Sequence, residues 1–218
     1  MGAGCETRRL TIPIMPPLVG PPHPAVVWTE PFDELNPQRW HEVSVHGHTE
    51  YEAVALDARR CLRAKSEMGA SLLVTHVQFH PQTYPTLSWE WRVDRLVDGE
   101  ALDRKEGSDA AARVYVYFAT PGLAWQKRSL DYVWSASLPV GTMLSSAYLS
   151  QSKMIIAESG STFLGQWRKV VRNLREDYIQ AFGTEPPEVV AIGVMSDADN
   201  TQGHALAYFD DFRIGDAR

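Results

Sequence analysis

Short apolar runs alternate with turn-forming residues along most of the chain, and within the runs the dominant period is two. Leu87, Trp89, Trp91 and Val93 fall on one side of a stretch whose other side is Ser88, Glu90 and Arg92. Val114, Val116 and Phe118 oppose Arg113, Tyr115 and Tyr117 in the same way. This is the spacing of strands with one face in a core. Further strands are predicted over residues 26–28, 51–56, 62–65, 71–79, 130–135, 153–156 and 166–171. Residues 189–195 are apolar without a break and rich in β-branched side chains, which predicts a strand covered on both faces. Turn-forming residues fill 197–203, and period two resumes over 204–214. There Leu206, Tyr208, Phe212 and Ile214 are expected on one face, and Ala205, Ala207, Phe209 and Arg213 on the other.

The period lengthens once. Leu174, Tyr178, Ala181 and Phe182 lie at helical spacing, Asn173 can cap the first turn with Glu176 at its third position, and Gly183 followed by Pro186-Pro187 stops the helix. Many short strands and one short helix predict an all-β fold, a two-sheet antiparallel β-sandwich of jelly-roll, concanavalin-like or galactose-binding-like type. Six prolines between Pro13 and Pro24 rule out regular structure there. Residues 1–25 are therefore expected to form an extended proline-rich arm, and 26–218 a single sandwich domain.

Composition narrows the picture. A single domain of 218 residues buries roughly 70% of its unfolded surface and needs no staples, and two cysteines, Cys5 and Cys61, make no disulfide framework. A net charge of -6 without a basic cluster argues against nucleic acid as a partner. No apolar run approaches the ~20 residues of a spanning helix, so no transmembrane segment is expected. Seven tryptophans suit either a large core or ring surfaces that stack on sugars, the core being the stronger reading because rings bury so much area. The first residues contain no hydrophobic signal core, although Ala3-Gly4-Cys5 resembles the end of a lipoprotein cleavage site.

Several blocks look familiar as a set. Residues 108–116 (SDAAARVYV), 130–134 (LDYVW), 172–178 (RNLREDY), Phe182-Gly183 with Pro186-Pro187, and the run ending in Asp197-Ala198-Asp199-Asn200-Thr201 resemble a bacterial family catalogued as domain of unknown function 3047. The resemblance spans about residues 32–214. It implies a sandwich fold and an envelope location, periplasmic or secreted where an upstream signal has been removed, and it implies no mechanism.

Three constellations carry candidate chemistry. Asp197, Asp199 and Asn200 offer oxygen ligands on a tight loop, a set suited to calcium, with Asp210-Asp211 as a second acidic pair. The competing reading has these side chains capping turn backbone groups and pairing with Arg113 or Arg172. His46-Gly47-His48-Thr49-Glu50 carries metal-ligand types at spacing two, but Gly47 indicates a turn and a solvent-facing loop. Glu90, Arg92, Arg113, Tyr115 and Tyr117, joined by Tyr132 and Trp134, are expected to line one concave sheet face that takes a glycan or similar polyhydroxylated ligand. The function expected from this is a noncatalytic carbohydrate-binding or cell-envelope sandwich. The alternatives are a carbohydrate-active enzyme, foremost a polysaccharide lyase on acidic glycan, and a structural interaction module without a small ligand.

Overall fold

The computed structural model describes residues 25–121 and 127–216, so the proline-rich arm and Trp125 lie outside the described residues. Thirteen strands form two sheets. The first sheet contains β3 (Thr49–Leu56), β4 (Arg59–Glu67), β6 (Thr86–Arg95), β11 (Arg168–Asn173) and β13 (His204–Gly215) in the order β11-β6-β13-β4-β3, with β1 (Val26–Glu30) on the far half of β13. The second runs β2-β5-β12-β7-β8-β10-β9, from β2 (Trp40–His46), β5 (Ala70–Phe79), β12 (Val189–Asp197), β7 (Ala112–Phe118), β8 (Ser129–Ser135), β10 (Ser152–Ser159) and β9 (Met143–Ser145). Pairing is antiparallel except between β8 and β10, which run parallel because β9 intervenes in the chain and pairs with β10 from the other side.

The apolar strand β12 and the alternating strand β13 sit at the centres of different sheets, and the acidic loop 198–203 carries the chain from one to the other. Strict alternation in β13 breaks at Asp210-Asp211. Asp211 has φ of 48° and the register with β6 shifts between Asp210 and Arg213, a β-bulge that moves the following residues to the opposite face. Phe209 and Phe212 therefore both reach the core, together with Ala205, Ala207 and Ile214, whereas Leu206 and Tyr208 point out of it. This corrects the face division predicted from period two alone.

Helix α1 (Leu174–Phe182) starts where Asn173 accepts hydrogen bonds from the backbone N–H groups of Arg175 and Glu176, and it ends on left-handed Gly183, φ 71°. It lays Leu174 and Tyr178 onto the core edge. Two strands escape the sequence pattern. All of β2 after Trp40 is exposed, so its residues carry no core periodicity, and β9 has only three residues.

Between the sheets the core is aromatic. Trp89 lies 5.2 Å from Tyr132 and Trp91 lies 5.8 Å from Trp134, ring centre to ring centre, each pair bridging β6 and β8 across the sandwich. A smaller apolar cluster of Leu102, Ala110, Val133, Met154 and Ile156 covers the outer face of β8 and β10 beneath the β6–β7 loop. No helix among the described residues is long and apolar enough to cross a membrane.

Candidate functional site

The outer face of the seven-stranded sheet is built from cross-strand rows. One row reads Val43, Leu72, Met195, Arg113 and Val133 from β2 to β8; the next reads His41, Val74, Gly193, Tyr115 and Asp131. A third joins Ala191, Tyr117 and Ser129. Small residues at Gly193 and Ala191 leave β12 low between taller neighbours. A Cβ at Gly193 would stand 2.8 Å from Leu72 Cδ1, so only glycine lets Leu72 lean over this strand. The same face carries a cleft of about 380 Å³. Tyr115, Tyr117 and Asp131 lie along its floor, the end of β2 (Val45 and His46) bounds it, and Ser146, Tyr148 and Leu149 of the β9–β10 loop rise beside it.

Tyr115 and Tyr117 stand side by side with ring centres 5.8 Å apart and planes 7° from parallel. Both remain half-buried on the open side of the sheet. Their hydroxyls lie deep enough that burial pushes both phenol pKa values up, so neither is a ready base at neutral pH. Arg113 and Asp197 close the inner end. Arg113 Nε donates to Asp197 Oδ1 at 3.0 Å, its Nη2 donates to the Ser108 carbonyl at 2.8 Å, and its Nη1 faces Met154 Sδ at 3.3 Å. Asp197 also accepts from the Ala110 N–H at 3.0 Å. Burial pushes the Asp197 carboxyl up to about 6, against the downward pull of Arg113 and with a further push from Asp109.

Asp109, fully buried, turns its two oxygens to the N–H groups of Asn200 and Thr201 and to the Thr201 hydroxyl. Asn200 Nδ2 donates to the Tyr148 hydroxyl at 2.8 Å, and that hydroxyl donates to the Lys105 carbonyl at 3.2 Å. Three loops are thereby tied together at the rim. Oxygens of Asp109, Asp197 and Asp199 converge within 4.8 Å of one another. The acidic group thus contains Asp109, and Asn200 leaves it for Tyr148.

Asp131 is the least expected member. It is 2% exposed and accepts from the Ser129 hydroxyl at 2.8 Å and from the Ser152 hydroxyl, yet burial still lifts its carboxyl to about 6. A carboxyl whose folded pKa lies above its unfolded value near 3.9 binds its proton more tightly in the native state, so stability falls as pH rises from about 4 to 6 and stays low above that. Asp131→Asn is therefore expected to raise stability by about 2 kcal/mol at pH 7.5 and to change little at pH 4.5. Denaturant titrations at the two pH values read this directly, and an equal effect at both would refute a buried ionised Asp131.

The predicted lining is only partly assembled. Of it, Arg113, Tyr115 and Tyr117 meet in this cleft, and Asp197, Asp199 and Asn200, expected as a separate acidic set, line it with them. Tyr132 and Trp134 do not: opposite Val114 and Ala112 in the β7–β8 register they face inward and are fully buried. Tyr132 donates to Asp177 Oδ2 at 2.7 Å and Trp134 Nε1 to the Gly160 carbonyl at 3.1 Å, so both serve the core. Glu90 and Arg92 lie on the outer face of the other sheet, on the far side of the sandwich. Glu90 lines a second, shallower cleft with Arg59, Asp210 and Asp211, and Arg92 pairs with Asp94 and Asp57. Glu30 accepts from Trp40 Nε1 at 3.0 Å and from the Phe32 N–H at 3.2 Å. Arg172 pairs with Asp177 rather than with the acidic loop. His48 pairs with Glu42 in solvent, while His46 looks into the cleft. Sequence reading missed Asp131, Asp109, Tyr148 and Ser152. A carboxylate in the middle of the apolar stretch Leu130–Trp134 was the one available signal.

Residues 38–213 match a family profile described as a protein of unknown function (DUF3047). No curated protein matches the chain. Among solved structures, the chain is similar to the CBM22-1 xylan-binding domain of Xyn10C from Paenibacillus barcinonensis, at 14% identity and TM-score 0.44, covering 87% of this chain and 93% of that one. It is also similar to the family 30 carbohydrate-binding module of the cellulosomal cellulase Cel9D-Cel44B of Clostridium thermocellum, at 11% identity and TM-score 0.46 over 86% and 97%. A third similar structure is the K3 cleaved adhesin domain of Lys-gingipain from Porphyromonas gingivalis, at 15% identity and TM-score 0.45 over 88% and 100%. These identities are too low to carry a ligand from those proteins to this one.

Proposed function

The chain belongs to the DUF3047 family, and from that premise we propose that its sandwich is a noncatalytic glycan-binding module whose ligand lies in the cleft over β12. One observation carries the reading: two parallel tyrosine rings stand half-buried on the floor of a sheet-face cleft, within a rim of carboxylate, amide and hydroxyl groups. Tyrosines on a purely structural outer face have little reason to leave such a trough beside them. Aromatic surface bordered by convergent hydrogen-bonding groups is the pattern that holds a polyhydroxylated ring. The lyase alternative is not favoured. It needs an arginine free to neutralise a uronate and a tyrosine able to give up its proton. Arg113 spends its donors inside the protein, and both phenols are shifted the wrong way.

Binding to an array of neutral oligosaccharides, followed by titration calorimetry on any hit, tests the reading. Tyr117→Ala should weaken binding by about 1 kcal/mol or more, a factor of at least five, while Tyr117→Phe keeps most of it. Unchanged affinity in Tyr117→Ala with an intact circular dichroism spectrum would exclude this cleft. Absence of binding to every glycan would favour the structural interaction module.

The acidic triad is read as structural. A calcium ion requires six to eight oxygens, and here Asp109 is occupied by the loop backbone and Asp197 Oδ1 by Arg113 and Ala110. Adding millimolar calcium is expected to leave the melting temperature within about 2 °C, since a ligand that binds the native state weakly adds little stability. A rise of ten degrees would establish a calcium site.

A further inference from the structure

We infer that the cleft selects its glycan by charge, admitting neutral and amine-bearing sugars and turning away uronates and sulfated sugars. The inference rests on the glycan-binding reading above and concerns which sugars that site accepts. Three carboxylates line the cleft, Asp131, Asp197 and Asp199, and Arg113 is the one guanidinium or ammonium group among the described lining residues. That arginine is 3% exposed and its donors go to Asp197, the Ser108 carbonyl and Met154 Sδ. It can neutralise one aspartate, and at 3% exposure it turns little of its guanidinium to a ligand.

Asp109 stands behind the rim, and its hydrogen bonds come from the neutral N–H and hydroxyl groups of Asn200 and Thr201. Its charge is felt by both Asp197 and Asp199, whose carboxyls it pushes upward. The surroundings of the cleft therefore hold more negative charge than positive, in a recess where water screens less than at an open surface. The Lys105 ammonium sits over the Tyr148 ring at 5.4 Å and that of Lys153 donates to the Ser145 hydroxyl at 2.6 Å, neither being among the lining residues. His46, at the end of β2, is the other basic side chain among the described lining residues.

A sugar hydroxyl meets no penalty here, because it donates to carboxylates and accepts from Asn200 and the serine hydroxyls. A protonated amine gains a charge-assisted hydrogen bond to the partly exposed Asp199 and the longer-range attraction of the buried Asp131 and Asp197. The carboxylate of a uronate has only acceptors to offer, faces groups that are already negative, and meets no free guanidinium or ammonium among the described lining residues. Discrimination then comes from the repulsive element, as in other sites that reject a close analogue by leaving its charge unpaired.

The test is inhibition titration at pH 7.5 and low salt with paired neutral and uronic-acid trimers of the gluco, galacto and manno series, plus the glucosamine trimer. In every series that binds, the neutral trimer is expected to bind at least tenfold more tightly than its uronate, and the glucosamine trimer at least as well as the glucose one. Asp199→Lys should shrink the neutral-to-uronate ratio at least fivefold, because it reverses a charge at the partly exposed rim. A uronate that binds as tightly as its neutral partner, or an unchanged ratio in Asp199→Lys, would overturn charge selection while leaving glycan binding in place. If no trimer of any series binds, the glycan reading fails and charge selection goes with it.

Discussion

Arg113→Met is expected to cost about 3–5 kcal/mol of stability at pH 7.5, the range for removing one partner of a buried ion pair. Arg113 and Asp197 are 3% and 4% exposed, so deleting the guanidinium leaves a carboxylate that water barely reaches. The loss extends beyond the pair. Asp197 holds the Ala110 N–H, and Arg113 holds the Ser108 carbonyl, so the same contact anchors the end of the β6–β7 loop against β12. The cost should also depend on pH in a definite direction. The Asp197 carboxyl is already raised to about 6 with Arg113 present, and without it the folded-state value climbs further. An acid with a raised folded pKa lowers stability as pH rises through the window between its unfolded and folded values. The deficit of Arg113→Met should therefore shrink between pH 7.5 and pH 5, as Asp197 takes up its proton. Denaturant melts of Arg113→Met and of Arg113→Met with Asp197→Leu check both points, and the double variant should recover the share due to the unpaired charge while the Ala110 N–H and Ser108 carbonyl stay unpaired. A single-variant cost below about 1 kcal/mol would mean that the pair is solvated.

The second large effect is expected at Trp134. Trp134→Ala removes a fully buried indole that faces Trp91 across the sandwich and donates to the Gly160 carbonyl. Truncating a buried tryptophan costs about 3–5 kcal/mol, through lost transfer free energy and the cavity left behind. Tyr117→Ala, on a partly open ring one strand away, should cost less, about 1–2 kcal/mol of stability, because part of its surface already faces water and no closed cavity is left behind. The contrast between the two melting midpoints separates core from cleft. A stably folded Trp134→Ala that had lost glycan binding would put the indole back in the site and undo the inward assignment of β8.

What the sequence determined by itself is what neighbours along the chain decide. Alternation placed Arg113, Tyr115 and Tyr117 opposite Val114, Val116 and Phe118, because successive side chains on a strand must point to opposite faces. Asn173 and Gly183 marked the helix ends because capping is a matter of a few adjacent residues. The apolar run at β12 was legible as a covered strand for the same local reason. Period two says which residues of one strand share a face, but it cannot say which face of the next strand that is. The β7–β8 register decides it, by setting Tyr115 opposite Asp131 and Val114 opposite Tyr132, and so exchanges two expected ligand rings for one carboxylate. Glu90 and Arg92 alternate as cleanly as Arg113 and Tyr115, yet sheet assignment sends them to the far side of the molecule. At Asp210-Asp211 one bulged residue inverts the phase of everything after it, which no periodic pattern reveals in advance. The acidic loop became part of the cleft only through contacts between residues far apart in the chain, Asp109 with Thr201 and Asn200 with Tyr148. Such contacts depend on how two sheets and three loops close on one another, and that closure is settled by packing over the whole sandwich.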